Sequence, residues 1–377
     1  MASFAQGLPA MVEQIEGLLR CESPSADLAA VTRSADLVAA LGEEILGAPP
    51  ERIVIDGCPH LRWRLGSGRR RVLVVGHHDT VWPIGSLVPH PAGVVDGHLL
   101  GPGCVDMKAG VVIGFHAVAA LADPDGVTIL VTGDEEIGSR TSRALVESEA
   151  EGVDGVLVLE AAADGGALKI ARKGISRYEV HVAGRAAHAG LEPDKGINAS
   201  IELAHQTLRV AALADPSVGT TVTPTTARAG TASNTVPADA TLAVDVRAAT
   251  RAEQERVHRE LHLLRPVLPG AQVTVSGEPN RPPFEATAST RLFAHACAVA
   301  DRLGLPPLTS ASVGGASDGN FTAGIGAPTL DGLGAVGGGP HAADEHVIVA
   351  EIPARTALVA ALIDDLLGGE RLQQYGL

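Results

Sequence analysis

The chain has 377 residues, of which 45% are hydrophobic and 19% charged, a balance typical of globular proteins and a length that favours two domains. Two Trp, two Tyr and five Phe leave few rings for stacking on bases, and the formal net charge of −15 argues against a nucleic-acid partner. The four cysteines form no CxxC pair, which argues against a disulfide framework or a structural zinc site and fits a reducing cytoplasm.

The first twenty residues predict an amphipathic helix rather than a targeting segment. Apolar residues between Met11 and Leu19 recur at helical spacing, and the segment has neither a cationic start nor a continuous apolar core. No stretch approaches about eighteen uninterrupted apolar residues, so we expect no membrane span and a cytoplasmic location.

Predicted strands and a predicted helix then alternate. Segments 71–76, 127–133 and 155–159 are short apolar runs typical of buried parallel strands, and 107–121 favours a buried helix between the first two. This alternation indicates an α/β sheet. Each run ends at ionisable residues, and ligands of such sheets collect at the carboxyl ends of the strands. The sequence therefore predicts a functional site at this edge.

The middle of the chain predicts a second, smaller domain with half-exposed strands. The predicted strands are 175–182, 220–229, 240–247 and 271–276, and the predicted helices are 198–213 and 251–264. The order β-α-β-β-α-β is that of a split βαβ sandwich. We therefore predict a domain over 174–283, inserted into a larger domain formed by 1–173 and 284–377. The larger domain resumes with predicted helices over 287–303 and 352–367.

His77 and Asp79 come directly after the first predicted strand. Residues two apart in an extended segment point the same way. A histidine beside a carboxylate suits a metal ligand and the group that orients it. For this motif alone, an ordinary surface histidine is an equally good interpretation.

Carboxylates stand at the other strand ends and at the start of the predicted helix. Asp106 follows a Gly-Pro-Gly turn, where a plain helix N-cap would look the same. Asp134, Glu135 and Glu136 follow the second strand and repel one another unless a cation, protonation or exposure to solvent relieves them. Glu160 ends the third strand among apolar residues, which indicates a pairing partner.

His341 completes the set, after a glycine-rich segment over 332–339 that we interpret as a tight functional loop. Imidazoles and carboxylates without a thiolate suit Zn, Mn or Co rather than a structural zinc cluster. In a metal hydrolase, one of two adjacent carboxylates binds the cation and the other takes a proton from the attacking water. The candidate residues are His77, Asp79, Asp106, Glu135, Glu136, Glu160 and His341.

The chain resembles the M20 metallopeptidases, and within them the glutamate carboxypeptidase branch, over nearly its whole length. The motifs that carry the resemblance are GHHDTVW (76–82), GPGCVDMKAG (101–110), GDEEIGS (133–139), LEAAADGGALKIARKG (159–174), GRAAHAG (184–190), SNTVPADATLAVDVR (233–247), GGASDGN (314–320) and GGGPHAADEH (337–346). The resemblance implies a di-zinc exopeptidase domain with a mixed sheet and helices on both faces, plus a ferredoxin-like lid and dimerisation domain.

The resemblance also implies roles for individual residues. Asp106 would bridge two divalent ions, most often zinc, with His77 and Glu160 on the first ion and Glu136 and His341 on the second. Asp79 would orient His77, and Glu135 would be the general base.

In the inserted domain, the resemblance implies that His188 polarises the scissile carbonyl and that Arg281 grips a substrate carboxylate. Asn234, Arg247 and Gly315 match positions near the substrate. For Arg247, a salt bridge on the sheet is an equally good interpretation.

We therefore expect a homodimeric, two-metal hydrolase that cleaves an amide or peptide bond next to a free carboxylate. The substrate would be a small peptide or an N-acyl amino acid. Carboxypeptidase, deacylase and dipeptidase activities all remain open, as does the choice between Zn, Mn and Co.

Two rival interpretations come from other classes. The segment 315–319 fits GxSxG, which would make Ser317 a nucleophile with Asp331 or Asp344 and with His341 or His346. The strand that such a motif needs before it is poor here. The second rival is a metal-site relic without activity, against which the complete ligand set argues.

Three residues depart from the family pattern. The thiol of Cys104 is either silent or a point of sensitivity to oxidation and thiol-binding metals. At His78 we expect a free imidazole that is able to bind stray zinc. His346 stands where this branch often has tyrosine.

Overall fold

The fold is described from a computed structural model of the chain, for residues 2–69 and 71–368. The α-helices of these residues are α1 (Ala2–Leu19), α2 (Leu28–Leu46), α3 (Ala109–Ala119), α4 (Arg143–Ala150), α5 (Ala199–Ala211), α6 (Arg251–His262), α7 (Thr290–Arg302), α8 (Gly319–Gly324) and α9 (Ile352–Gly368). The predicted N-terminal helix is confirmed in α1; Met1 lies outside the described residues. No helix in the described ranges is long and apolar enough to cross a membrane.

The strands of the described residues range from two to ten residues in length. They are β1 (Glu51–Ile55), β2 (Cys58–Arg64), β3 (Val72–His77), β4 (Gly93–Val95), β5 (His98–Leu100), β6 (Val127–Thr132), β7 (Gly155–Val158), β8 (Leu168–Arg172), β9 (Gly174–Ala183), β10 (Ala187–His188), β11 (Thr221–Ala229), β12 (Thr235–Val236), β13 (Asp239–Ala248), β14 (Gln272–Arg281), β15 (Ser310–Val313), β16 (Thr329–Leu330), β17 (Gly337–Gly338) and β18 (His346–Ile348).

The chain forms two compact units, and the first contains a six-stranded mixed sheet. This unit lies within Met1–Ala171, Ala286–Val313 and Ser317–Leu377. The strand order is β1-β2-β6-β3-β7-β16, in which β6, β3, β7 and β16 run parallel to one another, and β2 pairs antiparallel with both of its neighbours, β6 and β1. The three predicted parallel strands are confirmed, and β3 lies between the other two.

Helices cover both faces of this sheet. Because successive strand residues point to opposite sides, neighbouring residues of β3 pack into different cores. Val72 and Val74 pack into the larger core with residues of α1, α2, α3, α7 and α9. Leu73 and Val75 pack into a second core with residues of α4 and α8. The predicted α/β class is confirmed.

The sequence interpretation missed the hairpin of β1 and β2, which makes the sheet mixed. Asp56 and Gly57 join the two strands, and both have positive φ, 50° and 83°. An Asp-Gly pair in this conformation is a preferred two-residue hairpin turn. The Asp-Gly pair is visible in the sequence, but the segments on either side of it are too short to show a clear hydrophobic pattern.

The second unit comprises Arg172–Glu285 and Gly314–Ala316. Its antiparallel sheet has the order β11-β13-β9-β14, and α5 and α6 supply Leu203, Val210, Val257 and Leu261 to its core. Along β9, buried Val180 alternates with outward Glu179, the pattern of a sheet with one covered face. The main elements follow in the predicted β-α-β-β-α-β order. Its role as a lid and dimerisation domain stays a prediction.

Candidate metal centre

Three parallel strands bring their last residues to one edge of the first unit's sheet. β3 ends at His77, which pairs in register with Thr132 at the end of β6. Glu135 and Glu136 follow β6 in a short 3-10 turn, and Glu160 lies two residues beyond the end of β7. Because these strands are parallel, their carboxyl ends meet at the same edge.

Asp79 holds both His77 and the acidic turn in place. One oxygen of Asp79 lies 3.4 Å from Nδ1 of His77. The backbone N–H groups of Glu135 and Glu136 donate to the two oxygens of the Asp79 carboxylate, each at 3.2 Å. Asp79 is completely buried, and contacts with His77 and Ser25 hold its pKa below the usual value although burial acts in the opposite direction. A fixed, charged Asp79 orients the imidazole and the turn together.

Asp106 lies between two histidines. One carboxylate oxygen is 3.2 Å from Nε2 of His77, and the other is 3.2 Å from Nε2 of His341. Burial acts against the charge, but the hydrogen bonds from His341 and His77 hold the pKa of Asp106 well below its usual range. Asp106 therefore brings His77 and His341 to the two sides of one carboxylate.

Glu136 and His341 form the other end of the cluster. Nε2 of His341 lies 3.2 Å from Glu136 Oε2. The other oxygen, Oε1, is buried and has no hydrogen-bond partner among the described residues, and burial raises the pKa of Glu136. A buried carboxylate oxygen without a partner is costly, and a cation would satisfy it.

Glu160 and Glu135 complete the cluster near His77. Glu160 Oε1 is 3.6 Å from Nε2 of His77, and both carboxylates are largely buried. One ligand atom each of His77, Glu135 and Glu160 lie within 4.8 Å of one another, as do those of His77, Asp106 and Glu136. The structure therefore brings together all seven residues that the sequence singled out.

The charge state of this cluster fits divalent cations. Carboxylates raise the pKa of His77 well above its usual value although burial acts against it, and Asp106 and Glu136 raise the pKa of His341 to about 10. Protons on these rings balance the surrounding negative charge, and a metal ion takes over that role when the rings act as neutral ligands. Two imidazoles and several carboxylates without a thiolate form a suitable donor set.

One glycine of the glycine-rich loop before His341 is required for steric reasons. Gly339 has φ +67°, and a Cβ there would come within 2.9 Å of the Asp344 backbone. Only glycine fits this close approach without strain. The tight turn delivers His341, which itself has φ +63°, to Asp106 and Glu136.

Asp134 does not belong to a solvated acidic loop, one of the alternatives for the triple carboxylate. It is buried and accepts hydrogen bonds from Thr141 N, Thr141 Oγ1 and Ser142 Oγ at 2.6–2.8 Å. The Thr141 hydroxyl also contacts His60 Nε2 at 3.0 Å, and His60 Nδ1 accepts from Gly133 N–H at 3.2 Å. This network fixes the strand end from which Glu135 and Glu136 project.

The expectation for His78 is wrong, and for Cys104 the structure agrees with the first of the two alternatives, a silent thiol. His78 is fully buried, its Nδ1 contacts Ser34 Oγ at 3.2 Å, and burial lowers its pKa to about 4, so it is not a free imidazole for stray zinc. Cys104 is also fully buried, and burial raises the pKa of its thiol well above the usual value. It is therefore not a reactive thiol.

Glu345 is a site residue that the sequence interpretation missed. Its carboxylate accepts from the backbone N–H groups of Gly103, Val105 and Asp106 and from Trp82 Nε1, at 2.8–3.1 Å. It thereby fixes the turn that presents Asp106. The available signal was a carboxylate four residues after His341, which resembled a surface position.

The predicted substrate residues belong to the second unit. His188 is exposed at the end of β10, and its Nδ1 accepts from Gly190 N–H and Leu191 N–H, both at 3.1 Å. The neutral ring therefore carries its proton on Nε2 and has a donor to offer. Asn234 is exposed in the turn just before β12, where its backbone carbonyl accepts from Ala189 N–H.

The two arginines predicted to lie near the substrate differ in their surroundings. Arg247 makes two hydrogen bonds to Asp245, at 2.7 and 3.1 Å, which is the salt bridge on the sheet that the sequence left open. Arg281 is 2% exposed at the end of β14. The carbonyl of Gly315 accepts from Arg172 Nη1 at 3.2 Å.

The serine-nucleophile interpretation does not fit the structure. Ser317 is fully buried, and its hydroxyl donates to Asp331 at 2.7 Å and accepts from Gly319 N–H. The two histidines that would complete a triad lie elsewhere: His341 contacts Asp106 and Glu136, and His346 Nδ1 contacts the Asp344 carbonyl.

Comparison with known proteins identifies the family. Residues 73–365 match the peptidase family M20/M25/M40. The chain belongs to this family. It is 31% identical over 376 residues to carboxypeptidase G2 of Pseudomonas sp. (strain RS-16), covering 96% of this chain and 90% of that protein. Its M20 membership makes it a metal-dependent hydrolase, as the sequence predicted.

Two further relatives show the range of the M20 family. Succinyl-diaminopimelate desuccinylase of Xylella fastidiosa (strain 9a5c) is 28% identical over 328 residues, covering 80% of this chain and 85% of that protein. The YXEP protein of Bacillus subtilis, a dinuclear metal-binding M20 peptidase, superposes with a TM-score of 0.68 at 15% identity, covering 98% of this chain and 99% of that one. At that identity the likeness shows the fold alone.

Proposed function

We propose that the protein is a two-metal hydrolase that cleaves an amide or peptide bond next to a free carboxylate, as a glutamate-type carboxypeptidase. The observation that carries this proposal is Asp106, whose two oxygens each lie 3.2 Å from a different histidine. Similarity to carboxypeptidase G2 over 96% of the chain supports the substrate class.

In the proposal, His77, Asp106 and Glu160 hold one ion, and Asp106, Glu136 and His341 hold the other. Zinc is our first choice, with manganese or cobalt as alternatives, because all three accept imidazole and carboxylate ligands. When bound, two divalent ions supply Lewis acidity that polarises the scissile carbonyl and favours deprotonation of water. Two groups of possible ligand atoms, one from His77, Asp106 and Glu136 and one from His77, Glu135 and Glu160, support the count of two.

Glu135 is the proposed general base. It is 8% exposed, and its backbone is anchored to Asp79. It takes a proton from the attacking water and later returns it to the leaving amine. His188 donates from Nε2 to the carbonyl oxygen as negative charge develops there.

For the substrate carboxylate we propose Arg281, with Arg247, which makes two hydrogen bonds to Asp245, as the alternative. Arg281 is almost fully buried, so a carboxylate reaches it only when neighbouring side chains move. We propose Asn234 and Gly315 as further substrate contacts.

The experiment begins with chelated protein, to which zinc, manganese or cobalt is returned. Release of free amino acid is measured from C-terminal glutamate dipeptides, other dipeptides and N-acyl amino acids. Preferred metal-dependent release of glutamate supports the carboxypeptidase. Preferred release from N-succinyl or other N-acyl substrates supports a deacylase, the second candidate, which the similarity to the desuccinylase favours.

A variant of Glu135 tests its assignment as the general base. We expect Glu135→Gln to lower turnover by about 100- to 10,000-fold while two metal ions remain bound. Glu147→Gln, in the exposed pair with Arg143, is the matched control and should retain activity. Wild-type turnover in Glu135→Gln with both ions bound contradicts the assignment.

We also propose a homodimer formed through the second unit. Leu208 and Ile201 are 73% and 51% exposed, and they lie on one face of α5 because they are seven residues apart. Light scattering after size-exclusion chromatography measures the mass, and a monomer at micromolar concentration contradicts the proposal.

A further inference from the structure

The first unit contains a cavity that lies away from the predicted metal ligands, none of which lines it. It has a volume of about 300 Å³, at the lower end of the range of small-molecule sites. Its apolar lining includes Leu305, Leu308, Val336, Ile348 and Leu358. Its polar lining includes Arg355, Glu351 and the Gly165–Gly166 segment.

Arg355 carries a buried charge, and no carboxylate of residues 2–69 and 71–368 forms an ion pair with it. The side chain is 6% exposed, and Nη2 donates to the Gly166 carbonyl at 2.8 Å. Nη1 is buried and has no hydrogen-bond partner among the described residues. A buried guanidinium normally pairs with an anion, because desolvation of the charge is costly.

Glu351 does not fill this role. It stands four residues before Arg355, is exposed, and makes no ion pair with it within the described part of the chain. The carboxylate lies close enough to oppose the effect of burial, which lowers the pKa of Arg355 to about 10. The cavity thus presents a buried positive group, a separate negative group at its exposed side, and an apolar wall.

We propose that this cavity binds a free α-amino acid with an apolar side chain. The carboxylate of the ligand pairs with Arg355 once the side chain turns its buried Nη1 toward the cavity, and the planar guanidinium then matches carboxylate geometry. The ammonium group pairs with Glu351. The side chain packs against Leu308, Val336 and Leu358. The site is distinct from the catalytic one and does not depend on the proposed function.

The cavity adjoins two segments that support Glu160. Gly334 N–H donates to the Glu160 carbonyl, and Ala162 N–H donates to the Ala335 carbonyl, both at 2.9 Å. The cavity lining begins just beyond this pair of bonds, at Gly165 and Val336. A ligand in the cavity therefore contacts Gly165, Gly166 and Val336, which continue the two segments that position Glu160.

The test measures binding of L-leucine to the chelated full-length protein by isothermal titration calorimetry. Three analogues separate the polar groups: 4-methylpentanoate lacks the ammonium, L-leucinamide lacks the carboxylate, and glycine lacks the apolar side chain. We expect L-leucine to bind at least tenfold more tightly than each analogue.

Variants assign the binding to this cavity. Arg355→Lys retains the charge but loses the planar fork, and we expect it to weaken L-leucine binding by tenfold or more. Glu351→Gln, at an exposed position, should weaken L-leucine binding by a similar factor and leave 4-methylpentanoate binding unchanged. Glu151→Gln is the matched surface control with wild-type binding.

If Arg355→Lys fails to fold, the Glu351→Gln comparison decides. If Glu351→Gln binds L-leucine as tightly as the wild type, and Arg355→Lys does so too where it folds, leucine binds elsewhere and the proposal is overturned. Absence of binding at 10 millimolar leucine, roughly 3 kcal/mol of affinity or less, also overturns it. Neither outcome alters the prediction of metal-dependent hydrolysis, which is measured on other substrates.

Discussion

Glu345 Oε1 accepts a hydrogen bond from the backbone N–H of Asp106 at 3.1 Å. The two residues are 239 positions apart in the chain, and this bond ties the glycine-rich loop that carries His341 to the turn that carries Asp106. The same oxygen accepts from Val105 N–H at 2.9 Å. Asp106 is therefore positioned by a second carboxylate, that of Glu345.

The first prediction follows from this bond. In Glu345→Gln, an amide N–H group faces backbone N–H donors, so the Asp106 turn loses part of its support. We expect metal affinity or activity to fall about 10- to 100-fold, the usual effect of removing a group that orients a metal ligand. Equilibrium dialysis against zinc and turnover on the preferred substrate are the measurements.

Asp344→Asn provides the control for this prediction, because it makes the same charge change at the neighbouring exposed position. We expect it to retain wild-type metal affinity. Equal losses in both variants point to a general charge effect and contradict a positioning role for Glu345.

The second prediction concerns Thr141, which connects Asp134 to His60. Thr141→Val leaves the buried Asp134 carboxylate and the His60 ring without the hydroxyl. We expect the free energy of unfolding to fall by about 1–3 kcal/mol, measured by urea denaturation. Thr225→Val, which removes an exposed hydroxyl bond to Ala243, should change it by about 0.5 kcal/mol or less. Equal changes in the two variants contradict the role of the network.

Local patterns predicted the parts of the fold in which burial repeats regularly. All six residues of β3 are buried, which is why a continuous apolar run identified a parallel strand. In β9, the alternation of Tyr178, Val180 and Val182 with outward residues identified a half-exposed strand. Since parallel strands end at one edge, the same reasoning placed His77, Glu136 and Glu160 together.

Contacts between distant segments could not be predicted in this way. Nothing in the sequence around Glu345 indicates that it accepts hydrogen bonds from residues 103–106. His78 shows a second limit, because its neighbour His77 faces the carboxylates while His78 packs against Ser34 of α2. Adjacent residues of an extended segment point to opposite sides, and residue type alone did not tell which imidazole faces the site.

The third prediction is a pH dependence of stability that comes from His60. Burial lowers the pKa of His60 below 6.5, so the folded protein holds the ring neutral where the unfolded chain begins to protonate it. The unfolded state then binds more protons, and stability decreases as the pH falls below about 6.5. We expect the wild type to lose more unfolding free energy between pH 7 and pH 5 than His60→Gln does.

Both proteins are measured in chelator, so that release of metal at low pH contributes to neither. The comparison isolates His60, because the other buried histidines, including His78, are present in both proteins. The same pH slope in wild type and variant contradicts the prediction.

The fourth prediction concerns thiol reactivity. Cys104 and Cys58 are buried, and burial raises the pKa of Cys104 well above its usual value and that of Cys58 to about 12. Cys21 and Cys297 are partly exposed. Because the thiolate is the reactive form, iodoacetamide should modify Cys21 and Cys297 first in the native protein. Peptide mass spectrometry follows each site, with urea-unfolded protein as the reference in which all four react. Rapid native modification of Cys104 would mean that the turn carrying Asp106 opens to solvent, and it would revive the interpretation of an oxidation-sensitive site.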